Sequence, residues 1–356
     1  MNRLGLDGEN GLHIGAPSTV QHRVYSMKAV VRTEYGSPDV VRIEEVPQPS
    51  PGDGEVLVRV IAASLNGSDR EAVVGRPAYV RIGGLRRPRH KILGSDIAGR
   101  VEQVGSQVRD LRPGDEVLGE VPGYHSGLAE YVCVPETALV RKPTSVTFAE
   151  AAAIPQAATI ALQGIRIKGE VRAGQKVLIN GAGGAAGSFA IQLAKLAGAE
   201  VTGVDHGDKA TFLRSLGADH VIDYTQDDFT RSIEQYDLVL DAIAHRSVFK
   251  CARVLRPNGT YFVVGGAIRV LLALVALGPW IRLTAGKNVR LLVVPQDREL
   301  LLSATELCAE RKIVPAIDRC YSFSDAPDAI RYISEGRQKG KIVIVLEDPS
   351  ARRPPA

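Results

Sequence analysis

Residues 177–187, Val-Leu-Ile-Asn-Gly-Ala-Gly-Gly-Ala-Ala-Gly, place a short apolar run directly before a glycine-rich turn. An amphipathic stretch follows the turn, and the next apolar run ends at Asp205. Glycines in such a turn let the backbone approach a pyrophosphate, which rests on the N-terminus of the following helix. This order of strand, turn, helix and acidic residue is the context that a dinucleotide-binding site requires. A glycine turn without a ligand is the alternative.

The same alternation of apolar strands and helical stretches continues to about residue 264. Helices are expected over 186–197 and 209–216. Strands separated by helices at this spacing predict a parallel, doubly wound sheet. The expected strands are Val177–Asn180, Glu200–Val204, His220–Ile222, Leu238–Asp241 and Tyr261–Val264.

The first third of the chain has a different pattern. From Met27 onward, short segments alternate with period two, as in residues 55–60, and are separated by glycine and proline. This pattern is typical of an all-β, barrel-like unit. Near the end of the chain a helix over 297–310 and a strand over 341–346 are expected, and they can return to either part. Residues 1–26 are polar and glycine-rich and are expected to be a disordered extension.

The composition of the 356 residues is that of an ordinary globular protein. The 44 basic and 40 acidic residues are spread along the chain, so the charge pattern does not indicate a nucleic-acid partner. Four cysteines without a CxxC pair are expected to be reduced thiols. The longest apolar run, 270–281, has 12 residues and contains Pro279. A run of this length is too short for an integral membrane segment. We expect a cytoplasmic protein.

A set of short motifs then falls in a familiar order. With them, the chain resembles the zinc-independent medium-chain dehydrogenases/reductases of the quinone oxidoreductase branch, from about residue 27 to residue 346. The motifs are Ala63-Ser64-Leu65-Asn66, Gly94-Ser95-Asp96-Ile97-Ala98-Gly99, Val104-Gly105, Pro113-Gly114-Asp115-Glu116-Val117, Ala129-Glu130-Tyr131, the loop at Gly181, Leu216-Gly217-Ala218-Asp219 and Gly340-Lys341.

The resemblance implies an α/β protein with two domains. A GroES-like β-barrel catalytic domain would comprise residues 27–149 and 295–356, and a Rossmann domain with a doubly wound parallel sheet would comprise residues 150–294. The cofactor would lie in the cleft between them. We also expect a homodimer and a small apolar or quinone-like substrate.

Zinc is not expected. In the alcohol dehydrogenase branch, a cysteine and a histidine-glutamate pair hold the catalytic ion, and these positions match Asn66, Ser95 and Asp96. An amide, a hydroxyl and one carboxylate are not the ligand set of a catalytic zinc site. The four-cysteine lobe that holds the structural zinc has no counterpart either.

Without a metal, the chemistry that remains is reduction of an activated C=C bond or a quinone. Hydride addition leaves negative charge on the carbonyl oxygen, which needs a hydrogen-bond donor and finally a proton. By resemblance, Asn66 lies beside the nicotinamide and can donate to that oxygen, and Tyr79 is a second candidate donor or acid. The alternatives are an asparagine that satisfies a turn and an ordinary loop tyrosine.

The cofactor is expected to be NADP(H), with NAD(H) possible. Asp205 can accept from a ribose 2′-hydroxyl, which favours NAD, whereas the cations that follow it suit a 2′-phosphate. Lys209 can also be an exposed lysine at a helix start. The residues expected at the cofactor are Thr159, Gly181, Gly184, Ala185, Ala186, Gly187, Asp205, His206, Lys209, Tyr224, Gly265 and Lys341.

The roles of two segments, 81–91 and 270–281, and the choice among three functions are not decided by the sequence. The basic loop 81–91 can clamp an anionic group or be solvated, and the run 270–281 can line a pocket, pack between subunits or form a core helix. The leading hypothesis is an NADPH-dependent reductase of enones or quinones. The alternatives are an enoyl-thioester reductase of lipid or polyketide synthesis and a non-catalytic NADPH-binding protein.

Overall fold

A computed structural model describes residues 25–346 of the chain. The polar segment expected over residues 1–26 lies almost entirely outside the described residues. Two large sheets organise the rest, with a small two-stranded sheet at the start. The strands are β1 Ser26–Arg32, β2 Val41–Pro47, β3 Glu55–Leu65, β4 Asp96–Val104, β5 Glu116–Glu120, β6 Tyr131–Pro135, β7 Leu139–Arg141, β8 Lys176–Asn180, β9 Glu200–Asp205, β10 His220–Asp223, β11 Tyr236–Asp241, β12 Leu255–Val263, β13 Asn288–Leu291, β14 Ile317–Ser322 and β15 Lys341–Val345.

Helices connect these strands and cover the sheets. A short 3-10 helix, Ala78–Gly83, precedes β4, and a π turn, Gln163–Ile167, extends the third α-helix. The α-helices are α1 Gly67–Val74, α2 Phe148–Ala152, α3 Pro155–Leu162, α4 Ala185–Leu196, α5 Ala210–Ser215, α6 Val248–Arg253, α7 Ile268–Ala285, α8 Arg298–Ala309 and α9 Ala326–Ser334.

The six-stranded sheet is parallel throughout, with the order β10-β9-β8-β11-β12-β13. The strand order reverses between β8 and β11, since β9 and β10 are added on one side of β8 and β11 to β13 on the other. The carboxyl ends of β8 and β11 flank the crevice where ligands bind in such sheets. The expected doubly wound parallel sheet is therefore confirmed. Its strands are apolar because helices cover both faces, as the complete burial of Val177, Leu178 and Ile179 in β8 illustrates.

The seven-stranded sheet contains segments from both ends of the chain. Its order is β14-β15-β3-β4-β5-β7, and β6 pairs with β3. The last strand, β15, runs antiparallel to β3, so that Ile342 lies opposite Leu65. This pairing brings the C-terminal segment beside the motif that ends at Asn66.

Helix α7 is the apolar run noticed in the sequence, extended at both ends to 18 residues. It is long and apolar enough to cross a membrane by length and composition, and it is the one such helix among residues 25–346. Four of its residues are buried: Val270, Leu274, Gly278 and Ile281. It is therefore not a core helix, because most of its side chains are in contact with solvent.

Candidate functional site in the cleft

The glycine-rich turn lies between the carboxyl end of β8 and the first turn of α4. Gly181 has a φ of 81°, in the left-handed region that favours glycine. A Cβ at Gly187 would lie 2.3 Å from the carbonyl oxygen of Gly181, so the close approach of helix and turn requires glycine. The backbone N–H groups of the first turn, at Ala185 and Ala186, have no acceptor within the helix. Beside Gly184 they can hold a phosphate group of a dinucleotide.

Asp205 ends β9 and is held in place by three hydrogen-bond donors. Its carboxylate accepts from the backbone N–H groups of Gly183, at 2.7 Å, and His206, at 2.9 Å. The Lys209 ammonium lies 3.1 Å from the same carboxylate and also donates to the Gly336 carbonyl oxygen, at 3.1 Å. Asp205 and Lys209 are both buried. The two residues that indicated opposite cofactors in the sequence therefore neutralise each other.

Two exposed rings lie beside this ion pair. His206 and Tyr224 pack edge to face, with ring centroids 6.0 Å apart. The Tyr224 backbone N–H donates to the Asp205 carbonyl oxygen at 3.2 Å. The structure thus brings Asp205, His206, Lys209 and Tyr224 together at one end of the cleft.

A loop before β15 closes over the glycine turn, and the sequence did not predict this contact. The Gly340 backbone N–H donates to the Gly183 carbonyl oxygen at 2.8 Å. In the same loop, the Gln338 Oε1 atom is buried and has no hydrogen-bond partner among the described residues. A buried acceptor without a partner can take a hydrogen bond from a donor group of a bound ligand. The glycine of the Gly340-Lys341 motif was the available signal in the sequence, and the structure gives Gly340 a φ of 91°, which favours glycine.

Thr159 lies in α3 at the wall of a small pocket, which Glu120 and Gln296 also line. Its hydroxyl donates to the Pro155 carbonyl oxygen at 2.8 Å, and the residue is buried. The pocket therefore joins the Rossmann-side helix α3 to β5 of the other sheet.

Tyr79 crosses the cleft from the short helix before β4. Its hydroxyl is hydrogen-bonded to the backbone of Gly266 and lies next to Gly265, where a Cβ would be 3.7 Å away. Burial, and then the nearby charge of Glu71, raise the pKa of Tyr79 above its ordinary value. The phenol therefore keeps its proton at neutral pH and can act as a donor.

A buried charge cluster lies where β3, β4 and β15 meet. The Lys341 ammonium, with no exposed surface, donates to Asn66 Oδ1 at 2.7 Å and to Asp96 Oδ2 at 3.0 Å. The Asn66 amide nitrogen in turn donates to Asp96 Oδ2 at 2.9 Å. Lys341 is therefore in direct contact with the candidate catalytic residue Asn66, and not with the glycine turn beside its neighbour Gly340.

Two more polar residues hold this cluster. Asp69 caps α1, accepting from the backbone N–H of Asn66 at 2.8 Å and of Gly94 at 3.0 Å. Burial raises the pKa of Asp69 to about 6. The Ser64 hydroxyl donates to the Ala152 carbonyl oxygen at 2.7 Å. Asn66 is thus fixed at its backbone as well as at its side chain.

Gln156 connects the charge cluster to the pocket. Its backbone N–H donates to Asp96 Oδ1 at 3.2 Å, and its side-chain amide donates to Glu120 Oε1 at 2.7 Å. Burial, with a further contribution from the Asp96 charge, raises the pKa of Glu120 to about 7. Glu120 and Gln156 were not predicted as site residues, because neither lies in a motif whose chemistry is evident from spacing.

The basic loop 81–91 is mostly turned to solvent. Arg81 is the exception, since it donates to the Gly75 carbonyl oxygen at 2.8 Å and stacks 4.7 Å above the Tyr35 ring. Arg86, Arg87 and Arg89 are exposed. Nothing in their contacts favours the anion clamp over a solvated loop.

Among residues 25–346, no group of three or more histidine, cysteine and acidic side chains could hold a metal ion. At the position compared with a catalytic zinc site, Asp96 is paired with the ammonium of Lys341. A second cation at this carboxylate would face direct repulsion from Lys341. The residues present therefore do not fit a catalytic zinc.

Two family models match the chain. One, described as the alcohol dehydrogenase GroES-like domain, matches residues 52–144, and the other, described as a zinc-binding dehydrogenase, matches residues 216–344. The first match confirms the expected GroES-like unit beside the parallel sheet.

The chain is also similar to proteins of stated activity. It is 34% identical over 330 residues to a 2-methylene-furan-3-one reductase of Solanum lycopersicum, which covers 89% of this chain and 79% of that one. It is 33% identical to an NADPH-dependent alkenal/one oxidoreductase, chloroplastic, of Arabidopsis thaliana, with coverage of 89% and 79%. The structure of a quinone oxidoreductase from Coxiella burnetii superposes with a TM-score of 0.81 at 29% identity, covering 91% of this chain and 100% of that one.

The raised pKa of Glu120 predicts a pH-dependent stability. The ordinary pKa of a glutamate is 4.5, and the pKa of Glu120 in the folded protein is about 7. At a pH between these two values, Glu120 is protonated in the folded protein and ionised in the unfolded chain. The contribution of Glu120 to the free energy of unfolding is therefore fully present below pH 4.5 and is lost as the pH rises through about 7. Glu120→Gln should gain stability relative to the parent between pH 5 and pH 8, by at most about 3 kcal/mol.

Chemical denaturation of both proteins at the two pH values measures this difference. Glu299→Gln on α8 is the matched control, because Glu299 is exposed. If the gap between parent and Glu120→Gln is the same at both pH values, Glu120 titrates normally and is not desolvated.

Proposed function

The chain belongs to the medium-chain dehydrogenase/reductase superfamily, in its quinone oxidoreductase-like branch, and we propose that it reduces the activated C=C bond of enones, or quinones, with NADPH. Dependence on NAD(P)H follows from membership of the family. The observation that carries the proposal is the buried cluster of Lys341, Asp96 and Asn66, which offers a fixed hydrogen-bond donor. The similar furanone reductase and alkenal/one oxidoreductase bear names for the same class of reaction.

The orientation of the Asn66 amide follows from its partners. An ammonium only donates and a carboxylate only accepts, so Oδ1 must face Lys341 and the amide nitrogen must face Asp96. One of the two amide hydrogens is used by Asp96, and the second is left over. We assign this second N–H to the substrate carbonyl oxygen, where negative charge develops.

The residues around the cleft are suited to hold NADPH. The first turn of α4, with Gly181, Gly184, Ala185, Ala186 and Gly187, would bind the pyrophosphate, and Thr159, Tyr79 and Gly265 would border the nicotinamide. When bound, the cofactor supplies a hydride to the substrate β-carbon. The chain itself holds the substrate oxygen at Asn66 and keeps a proton on the Tyr79 hydroxyl, which is available for transfer to the substrate after reduction.

The choice of NADPH over NADH rests on charge at the adenosine end. A free Asp205 carboxylate would accept from a ribose 2′-hydroxyl and repel a 2′-phosphate. Here Lys209 neutralises it, and two backbone N–H groups occupy much of its accepting capacity. The exposed His206 and Tyr224 then offer donors beside the ribose. This supports a site for NADPH, with NADH as the weaker ligand.

We further propose that the enzyme works without zinc, although one matching family model is described as a zinc-binding dehydrogenase. The donor set of Asn66, Ser95 and Asp96 supports this, as does the Lys341 ammonium at the same carboxylate. A homodimer stays a prediction. A cytoplasmic location stays a prediction, and the similar oxidoreductase of Arabidopsis thaliana is named as chloroplastic.

The first prediction concerns the reaction and the metal together. The purified chain should oxidise NADPH in the presence of quinones and simple enones, should keep this activity in a strong chelator, and should contain no stoichiometric zinc. NADPH oxidation over a panel of quinones, free enones and enoyl-thioesters, with metal analysis of the same sample, measures this. About one zinc per chain would contradict zinc independence. Turnover confined to enoyl-thioesters would favour the alternative function, and cofactor binding without any turnover would contradict catalysis.

The second prediction concerns Lys209. In Lys209→Ala the Asp205 carboxylate loses its neutralising partner and faces the 2′-phosphate. A charge-assisted hydrogen bond contributes roughly 1.5–3 kcal/mol, so the ratio of NADH to NADPH dissociation constants should fall on the order of tenfold to a hundredfold. Titration of both cofactors measures the ratio, and general destabilisation by the substitution affects both cofactors alike.

Asp205→Ser combined with Lys209→Ala distinguishes neutralisation from direct contact. If Lys209 acts by neutralising Asp205, the double variant should regain much of the NADPH preference. Equal weakening of both cofactors in the single variant, or a parent enzyme that prefers NADH, would contradict the assignment to NADPH.

The third prediction concerns Asn66. Removing one preorganised donor typically costs about 3–4 kcal/mol of barrier, so Asn66→Ala should lower kcat for a simple enone by about a hundredfold or more. NADPH affinity should be nearly unchanged. Quinones are more electrophilic, so their loss should be smaller.

Tyr79→Phe serves as the comparison in this experiment. It removes a proton donor and leaves the Asn66 amide intact, so its effect on kcat should depend on pH more than that of Asn66→Ala. Near-normal turnover of enones by Asn66→Ala would show that another group meets the developing charge.

A further inference from the structure

Helix α7 has an inner side that is fixed to the protein. Val270, Leu274 and Ile281 belong to the same buried cluster as Val289 of β13. Between them, a Cβ at Gly278 would lie 2.8 Å from the Val289 carbonyl oxygen, so the helix backbone rests directly on the strand. The helix therefore has a defined orientation, and its opposite side faces away from the molecule.

That opposite side is a continuous apolar stripe. Successive helical residues are about 100° apart, which places Ile268, Leu272, Val275, Pro279 and Leu283 in one row, called here the outer stripe. Leu272 is 65% exposed, Val275 75% and Leu283 87%. Monomeric soluble proteins rarely leave such a row uncovered unless it binds something.

Aromatic side chains border the outer stripe. Trp280 is 55% exposed, on the flank of the stripe. It packs edge to face against Phe249 of α6, with ring centroids 6.0 Å apart and Phe249 itself 47% exposed. Tryptophan beside an apolar row is typical of surfaces that lie at the boundary between water and lipid.

The charges around the outer stripe are all of one sign. Residues 242–296 contain eight lysines and arginines and no aspartate or glutamate. Arg269 and Arg282 lie on opposite flanks of the outer stripe, and Arg290 lies on β13. None of these three forms an ion pair with a carboxylate in residues 25–346, although Arg282 and Arg290 contact the Asn288 amide. The apolar row is thus framed by uncompensated positive charge.

We propose that the outer stripe docks α7 onto the surface of an anionic lipid bilayer. An amphipathic helix with arginines beside an apolar row lies in the plane of the interface, with its apolar side among the acyl chains and its cations at the anionic head groups. Each basic residue at such a surface adds to the attraction. The negative surface charge of such a bilayer complements the positive charge of Arg269, Arg282 and Arg290.

The helix lies on the bilayer and does not cross it. Its inner side is part of the core of the parallel sheet, and withdrawing that side would expose Val270, Leu274 and Ile281. Pro279 has no N–H, so the Val275 carbonyl lacks its helical partner. An unpaired carbonyl is tolerated in the hydrated head-group region and is costly in the hydrocarbon.

A second copy of the chain fits this surface less well. A symmetric dimer brings the same patch of both subunits together, so the uncompensated arginines would face one another across it. Charged residues are also depleted at the centres of protein interfaces. The complementary charge must therefore come from something other than this surface.

Vesicle flotation of the full chain tests the proposal, with phosphatidylcholine vesicles prepared with and without phosphatidylserine. The parent should float with the vesicles that contain phosphatidylserine and much less with the others. Leu272→Asp combined with Val275→Asp should abolish flotation. Replacing Arg269, Arg282 and Arg290 by alanine should weaken binding on the order of a hundredfold, because each contributes about fivefold, or about 1 kcal/mol.

Controls lie at the opposite edge of the parallel sheet and elsewhere on the surface. Arg214→Ala on α5 removes the same charge from another exposed arginine, and Ile233→Asp adds an acid at an apolar side chain that is 97% exposed. Both controls should bind vesicles as the parent does. The melting temperature and the NADPH oxidation rate without vesicles should be unchanged in all variants, which shows that they are folded.

Light scattering on the same samples measures the oligomeric state and so tests whether a second copy of the chain binds the outer stripe instead. If the parent does not float and the α7 aspartate variant changes from dimer to monomer, the outer stripe is a subunit interface and the proposal is wrong. Flotation that is independent of phosphatidylserine, or that survives the α7 substitutions, would also overturn it.

Discussion

A lysine ammonium with no exposed surface is stable only if opposite charge and hydrogen-bond acceptors surround it, because an unpaired buried charge costs several kcal/mol. Lys341 meets this requirement through Asp96 and Asn66. These partners lie 245 and 275 residues earlier in the chain, on β4 and just after β3. The cluster therefore forms only when β15 has paired with β3, and it links the last strand of the fold to the residue that we assign to the substrate oxygen.

The need to pair the buried Lys341 ammonium also determines how the Asn66 amide is oriented towards a substrate in the proposed reaction. Lys341 takes the cationic position beside Asp96, sets the orientation of the Asn66 amide and leaves one N–H available. Gln156 extends the network to Glu120 at the pocket wall. A fixed donor in a site with little water stabilises developing negative charge well, because it does not need to reorganise during the reaction. In the proposed reaction, the network would supply by hydrogen bonding the polarisation that a metal ion supplies in zinc-dependent enzymes.

Local patterns in the sequence were sufficient for much of the fold. The alternation that predicted the parallel sheet depends on neighbours within one element, and so does the glycine turn at Gly181. Contacts between distant segments were not accessible in this way. No spacing indicates that Gly340 bonds to Gly183, that Glu120 has a raised pKa, or that Lys209 neutralises Asp205. The apolar run at 270–281 was visible, but which of its sides faces solvent depends on how α7 packs against β13.

The central claim is that this site delivers hydride to the β-carbon of an enone and leaves the carbonyl carbon untouched. Turnover of a simple enone with NADPH deuterated at C4, followed by NMR of the product, tests it most directly. The account predicts deuterium at the former β-carbon and, in a parallel reaction in heavy water, solvent deuterium at the α-carbon of a saturated ketone. Deuterium at a carbinol carbon, in an allylic alcohol, would contradict it.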